Sequence, residues 1–343
     1  MSQRVADNNY RLCVLGYIEA NDSNVLDQAS PSLIGDFKVL SGVTVMCFLL
    51  SYLVVLGIEV SRFMFTIPGR TVLVISMLAA GLFAHSIFLA NQLTTVSNVD
   101  GQVQLLANWF QWIVLAAWGL AVACLVLTIR DPNRSVGLFI VPVILGIIGI
   151  GTLFQESEPF SPQTTINIWE TIHGVSLLVG SMFICFGFAF GTMYLIQSNR
   201  LRKLSSRISK LKLPSLEFAH SMNRLSLFVT SASLAIGVLS GVVLNVSRDG
   251  PINWLSGSIL FPFALFLWTL IAASFELLST SSGGRRSAFL VIANFVFLSL
   301  VMIVVWWSSH GQLGEIEAEV PKAAQHNLQH HEQAILLFAT GRI

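Results

Sequence analysis

The sequence predicts an all-α, polytopic membrane protein: a bundle of about eight transmembrane helices with both termini on the outer side. Three observations carry that expectation. Of the 343 residues, 54% are hydrophobic and only 11% are charged, whereas a soluble domain carries roughly a quarter charged residues. Mean hydropathy is +0.73. The apolar residues gather into eight runs, near 39–60, 71–92, 108–129, 136–154, 169–196, 224–245, 257–278 and 287–307. Each run approaches the ~20 residues that cross a bilayer core. So little charge cannot cover a water-facing surface, and a helix satisfies its own backbone groups in lipid.

The loops between the runs differ in charge, and that difference sets the orientation. One set holds Arg62 and Arg70, then Arg130 and Arg134, then Arg200, Arg202, Lys203, Arg207, Lys210 and Lys212, then Arg285 and Arg286. In the opposite set, 93–107 and 155–168 hold no Lys or Arg, and 246–256 holds only Arg248. The positive-inside rule makes the first set cytoplasmic and leaves both tails outside. The expected organisation is an outer tail 1–38, a membrane domain 39–311 and an outer tail 312–343. No short apolar run lies near Met1, so the first span is expected to act as a signal anchor. Residues 197–222 read as a basic, helical link ended by Pro214, drawn to anionic lipid headgroups. The last tail has an amphipathic stretch from Ala323 to Phe338. Its His326 and His330 stand four apart, beside His331, which reads as a solvated helix face before a metal site.

Several function classes lose support. A net charge of +1 gives no electrostatic reason to bind nucleic acid. Cys13, Cys47, Cys124 and Cys185 form no CxxC or CxxCH spacing, so no zinc site, disulfide framework or covalent haem attachment is indicated. No phosphate-binding loop, nucleophile elbow or HExxH motif occurs. The chain is therefore expected to bind or handle a ligand rather than to act alone as an enzyme. Pro142 and Pro262 are the only hint of the broken helices of a small-solute transporter.

Ionisable groups inside spans are costly and are functional candidates. His85 lies within the second run. It is either a ligand or a histidine bonded across a helix interface. Glu59 and Glu276, near cytoplasmic span ends, are expected to reach toward the interface. Arg224 is expected to meet lipid phosphate, His220 to lie on the surface, and Asn108 and Gln111 to cap the third helix. Gly180, Gly187, Gly191, Gly237 and Gly241 have the small-residue character that lets membrane helices approach closely. His173 lies four residues after Trp169, and His310 follows Trp306 and Trp307, both at outer span ends. Tryptophan is common at membrane interfaces. Two imidazoles converging on an aromatic, apolar pocket would also supply the axial ligands of a haem iron.

The order of several motifs resembles the cytochrome c assembly family of haem-handling membrane proteins (CcsA/CcmC type), most closely its HemX-like branch. Trp169-Glu-Thr-Ile-His173 is similar to the family's W-x-x-x-H at an outer span end. Leu213-Pro-Ser-Leu-Glu217, Gly237-Val-Leu-Ser-Gly241 and Gly284-Arg-Arg-Ser-Ala288 are similar to L-P-S-L-E, G-I-L-S-G and G-R-R-A-A in the same order. Gly81-Leu-Phe-Ala-His85 and Leu106-Ala-Asn-Trp-Phe-Gln111 match an early G-x-x-x-H and a following L-x-N-x-Y-E, with Gln111 in place of the acid. The family's W-x-W-D-P-K-E loop is reduced here to Trp254 within 245–257.

The resemblance implies non-covalent haem b, with His173 and His310 as axial ligands and His85 as an intramembrane ligand. Trp254, Trp306 and Trp307 would then form an aromatic wall, and Arg248 would pair with a propionate. It further implies a bacterial inner-membrane protein that holds haem at the outer face. Its expected partners are haem, the lipid bilayer, a membrane partner subunit of cytochrome c maturation and, indirectly, apocytochrome c. The alternative is a haem-free relative that scaffolds or regulates haem biosynthesis.

Overall fold

The computed structural model describes residues 44–63, 69–96, 108–132, 134–155, 168–203, 214–247, 257–278 and 283–304. Among them every regular element is helical. The first helices are α1 (Val45–Val60), extended by a single 3-10 turn at Ser61–Phe63, α2 (Arg70–Val96), α3 (Trp109–Arg130) and α4 (Gly137–Thr152). The others are α5 (Ile168–Lys203), α6 (Leu216–Ser247), α7 (Gly257–Leu278) and α8 (Gly284–Val304). Both expected tails lie outside the described residues.

Six of the eight, all but α1 and α4, are long and apolar enough to cross a membrane. The described residues thus form an all-helical bundle, and the chain has the character of a multi-pass membrane protein. Helices α1 and α4 have 16 described residues each, a rise of ~24 Å against the ~30 Å of a typical hydrocarbon core. Pro142 and Pro262 lie inside α4 and α7, and both helices run on past them.

Local chemistry explains three of the helix starts. Asn108 caps α3 as expected, its Oδ1 accepting the Gln111 N–H at 3.0 Å, which satisfies one of the free amides of a first turn. Gly69 precedes α2 at φ 74°, a left-handed conformation that suits glycine. The start of α6 departs from the expected 224 and falls at Leu216. The cause is Pro214-Ser215: proline stands just ahead of the helix, and Ser215 Oγ accepts the Phe218 N–H at 3.2 Å. Eight polar-mixed residues, His220 and Asn223 among them, thereby join the bundle.

The packing has two halves. Helices α1, α2, α3 and α4 form a closed set in which each touches its two neighbours, α4 returning to α1. In the second half, Ile184 of α5, Leu234 of α6, Leu265 of α7 and Val301 of α8 meet in one buried cluster. A second cluster joins Leu227 of α6, Ala272 and Ala273 of α7 and Val291 of α8. Helix α5 also lies against α3 and α4, which joins the halves. The bundle end that carries Arg130, Arg134 and Arg200 is the basic end; the other, where α3 and α5 begin, is the sparse end.

Candidate functional site

His173 sits in the second turn of α5, at the sparse end, with its ring against α6. Its Nδ1 lies 2.8 Å from the Gly237 carbonyl oxygen. A carbonyl only accepts, so Nδ1 carries the proton and donates it, and Nε2 is left with its lone pair. Nε2 has no hydrogen-bond partner among the described residues. The ring reaches that carbonyl because Gly241, one turn further along α6, has no side chain. A Cβ there would stand 3.0 Å from His173 Cε1 and 3.1 Å from Nδ1, closer than ordinary van der Waals contact. Ser240 Oγ lies 3.0 Å from the same Gly237 oxygen and 2.7 Å from that of Ile236. The next α5 residue, Gly174, has Trp112 of α3 against its backbone. One imidazole is therefore fixed in tautomer and orientation by a backbone carbonyl. Metal-bound histidines are commonly oriented in this way.

His85 occupies a different place, inside the first half. It is fully buried in α2. Phe48 of α1 stacks on the ring at 4.2 Å and 3°, and Tyr52 of α1 has its hydroxyl 3.2 Å from Nδ1. Gly81 makes the room: a Cβ there would meet Tyr52 Cε1 at 3.0 Å. The Gly81–His85 spacing thus shapes an α1–α2 contact. Nε2 is buried and has no hydrogen-bond partner among the described residues. His85 is a histidine bonded across a helix interface, and no contact among the described residues connects it with His173. Sequence reasoning missed Tyr52 and Phe48, although a lone tyrosine in the first apolar run was a readable signal.

At the basic end three expectations, for Glu59, Glu276 and His220, need correction. Glu59 does not reach outward: it is 2% exposed, and its Oε2 lies 3.2 Å from Arg62 Nε. Arg62 also gives Nη1 to Ser135 Oγ at 2.6 Å, so the pair ties α1 to the start of α4. Glu276 likewise turns inward, with Oε1 3.4 Å from His220 Nε2 and 3.8 Å from Arg224 Nε. His220 is therefore partly enclosed rather than on the open surface, while Arg224, 46% exposed, lies near Glu276 and over the Phe228 ring at 5.9 Å. Near a bilayer a carboxylate that finds an opposite charge, Glu59 one turn along its own helix end and Glu276 across the α6–α7 interface, avoids hydrocarbon without extending to water.

His310, Trp254, Arg248, Trp306 and Trp307 lie outside the described residues. Among the described residues no group of three or more His, Cys, Asp or Glu gathers to hold a metal ion. Cys47, Cys124 and Cys185 are free thiols. No family model, curated protein or solved structure matches this chain.

Proposed function

We propose that the protein is a haem-handling membrane component of cytochrome c maturation that holds haem b at the outer face of a bacterial inner membrane for a partner subunit. The basic loops are then cytoplasmic, both termini lie outside, and the sparse end faces outward. His173 and His310 are the axial ligands in this reading, with Trp254, Trp306 and Trp307 as aromatic wall and Arg248 toward a propionate.

The observation that carries it is the His173–Gly237–Gly241 contact. Two of the motifs that resemble the haem-handling family stand 64 residues apart, yet meet so that one imidazole has a donated Nδ1–H and an available Nε2. That is the donor arrangement an iron needs. Chain length also permits the pair. Ile184 and Val301 share one core layer. His173 lies eleven residues before Ile184, toward the sparse end, and beyond Val301 the sequence continues for nine residues to His310. Haem supplies the iron and an apolar ring; the chain supplies ligands and a site kept open toward a partner.

A second reading has an observation of its own. His85, the intramembrane ligand in the haem reading, is enclosed by Phe48 and Tyr52. That favours a haem-free relative acting as a scaffold or as a regulator of haem biosynthesis. The visible spectrum of protein purified in mild detergent from haem-replete cells separates the two. A Soret band that His173→Ala and His310→Ala each weaken is the expected result. A colourless protein that also fails to take up added haem would overturn the haem reading.

A further inference from the structure

We infer that the basic ends of α6, α7 and α8 enclose a water-binding column, a polar site separate from the His173 region and independent of whether haem is bound. It begins at the His220–Glu276 pair and is held by Asn223, Ser287 and Thr230.

The register of the second half brings these residues together. Leu227, Ala272, Ala273 and Val291 form one buried cluster across α6, α7 and α8. One helical turn toward the basic end from each lie Asn223 on α6, Glu276 on α7 and Ser287 on α8. The 3.4 Å contact between His220 and Glu276 fixes α6 and α7 at that level. On the same α6 face, two turns deeper than Asn223, stands Thr230.

Apart from the Glu276 carboxylate, the polar side-chain atoms here have no partner among the described residues. Asn223 is fully buried, and neither its amide nitrogen nor its amide oxygen is hydrogen-bonded. The Ser287 hydroxyl is fully buried and unpaired, and so is that of Thr230, at 1% exposure. His220 Nδ1 is buried and unpaired on the far side of the ring from Glu276. Each such group costs about 1–3 kcal/mol if it is dry, and hydrocarbon makes that cost worse. Ser226, between Asn223 and Thr230, satisfies itself on the Asn223 carbonyl at 3.2 Å, so local back-bonding is possible on this face. The four remaining groups include donors and acceptors on two helices within ~15 Å of α6 length. Ordered water needs two to four polar partners, and this set provides them. Water is favoured over a cation because Arg224 already faces the Glu276 carboxylate. A basic-end entrance is the short route, since His220 and Glu276 are each partly exposed there.

The test is reactivity in lipid nanodiscs. Ser287→Cys is treated with a small, charged thiol reagent, and labelling is read peptide by peptide by mass spectrometry. Cys185, buried on α5, serves as the internal dry control. The expected result is labelling of the new thiol at least ~10-fold faster than Cys185. Equal rates would overturn the proposal. Two near-isosteric variants give a reading that does not depend on labelling. Ser287→Ala and Thr230→Val remove hydroxyls without adding bulk. If those hydroxyls bind water, both lower the melting temperature. Unchanged or raised melting in both variants means that the layer is dry and that the inference fails.

Discussion

Gly241→Ala is the smallest change that should disturb the proposed ligand. The new Cβ would sit 3.0 Å from His173 Cε1 and 3.1 Å from Nδ1, against ordinary contacts of about 3.5–4 Å between carbon atoms. The ring must therefore retreat by roughly half an ångström, along the direction that lengthens its 2.8 Å bond to Gly237. Lengthening that bond forfeits about 1 kcal/mol and releases the tautomer that it fixed. Loss of an outer hydrogen bond of this kind typically lowers metal affinity ~10–100-fold. Two measurements check this. Nitrogen-15 histidine spectra of the wild type should show His173 protonated at Nδ1, and the variant should show both tautomers. Titration with haem, followed at the Soret band, should give affinity weakened by at least ~10-fold. A variant that keeps the Nδ1–H tautomer and binds haem as the wild type does would refute the assignment of Gly241 as the residue that holds the ring against α6.

Two further predictions concern stability. Tyr52→Phe removes the hydroxyl from buried Nδ1 of His85 and should cost about 1–3 kcal/mol in detergent unfolding. His85→Phe alone should cost less once Tyr52→Phe is present, and additive losses in this double-mutant cycle would show that the pair is not coupled. Gly187→Ala places a Cβ against Ser226 on α6, with the Val291 Cβ 3.3 Å away. The overpacking should cost about 1–3 kcal/mol. Ser226→Gly should restore most of the lost melting temperature in the double variant, and no recovery would count against direct contact at this point.

The apolar runs made the helices legible because hydropathy reads burial in lipid, which is what these segments share. It misplaced the start of α6 for the same reason. Residues 216–223 include Glu217, His220 and Asn223, so no apolar window begins there, and the boundary is set by the Pro214-Ser215 cap. The His173 site was half legible. The histidine and the two glycines are letters in the sequence, but their meeting is not, because the partner is the carbonyl of Gly237 and every residue has a carbonyl. The inward turn of Glu59 and Glu276 was hidden in a related way. A carboxylate near a span end can find water or a neighbour's charge, and only the packing of α1 on α4, or of α6 on α7, decides between them.

One face of α6 explains why both candidate regions lie where they do. Asn223, Ser226, Thr230, Ser233, Gly237, Ser240 and Gly241 recur at three and four residues along it, the spacing of a single helical stripe. Much of that stripe meets small residues of α5: Gly187 packs on Ser226, Gly180 on Ser233 and Leu234, and Gly237 on Ser176 and Leu177. In lipid, helices gain little from burying apolar surface against one another and associate instead through close packing and hydrogen bonds. Close packing requires small side chains, and apart from alanine those are glycine, serine and threonine. The requirement for tight α5–α6 contact thus places hydroxyls along a buried face and leaves backbone within reach of a side chain. At the sparse end the reachable backbone is Gly237, and His173 takes it. At the basic end the stripe continues past the close contact into Asn223 and His220, where α7 and α8 supply Glu276 and Ser287. A single substitution pattern, chosen by packing, therefore builds a fixed imidazole at one end of the seam and an unpaired polar layer at the other. Widening the seam with a bulky residue at Gly187 should disturb both.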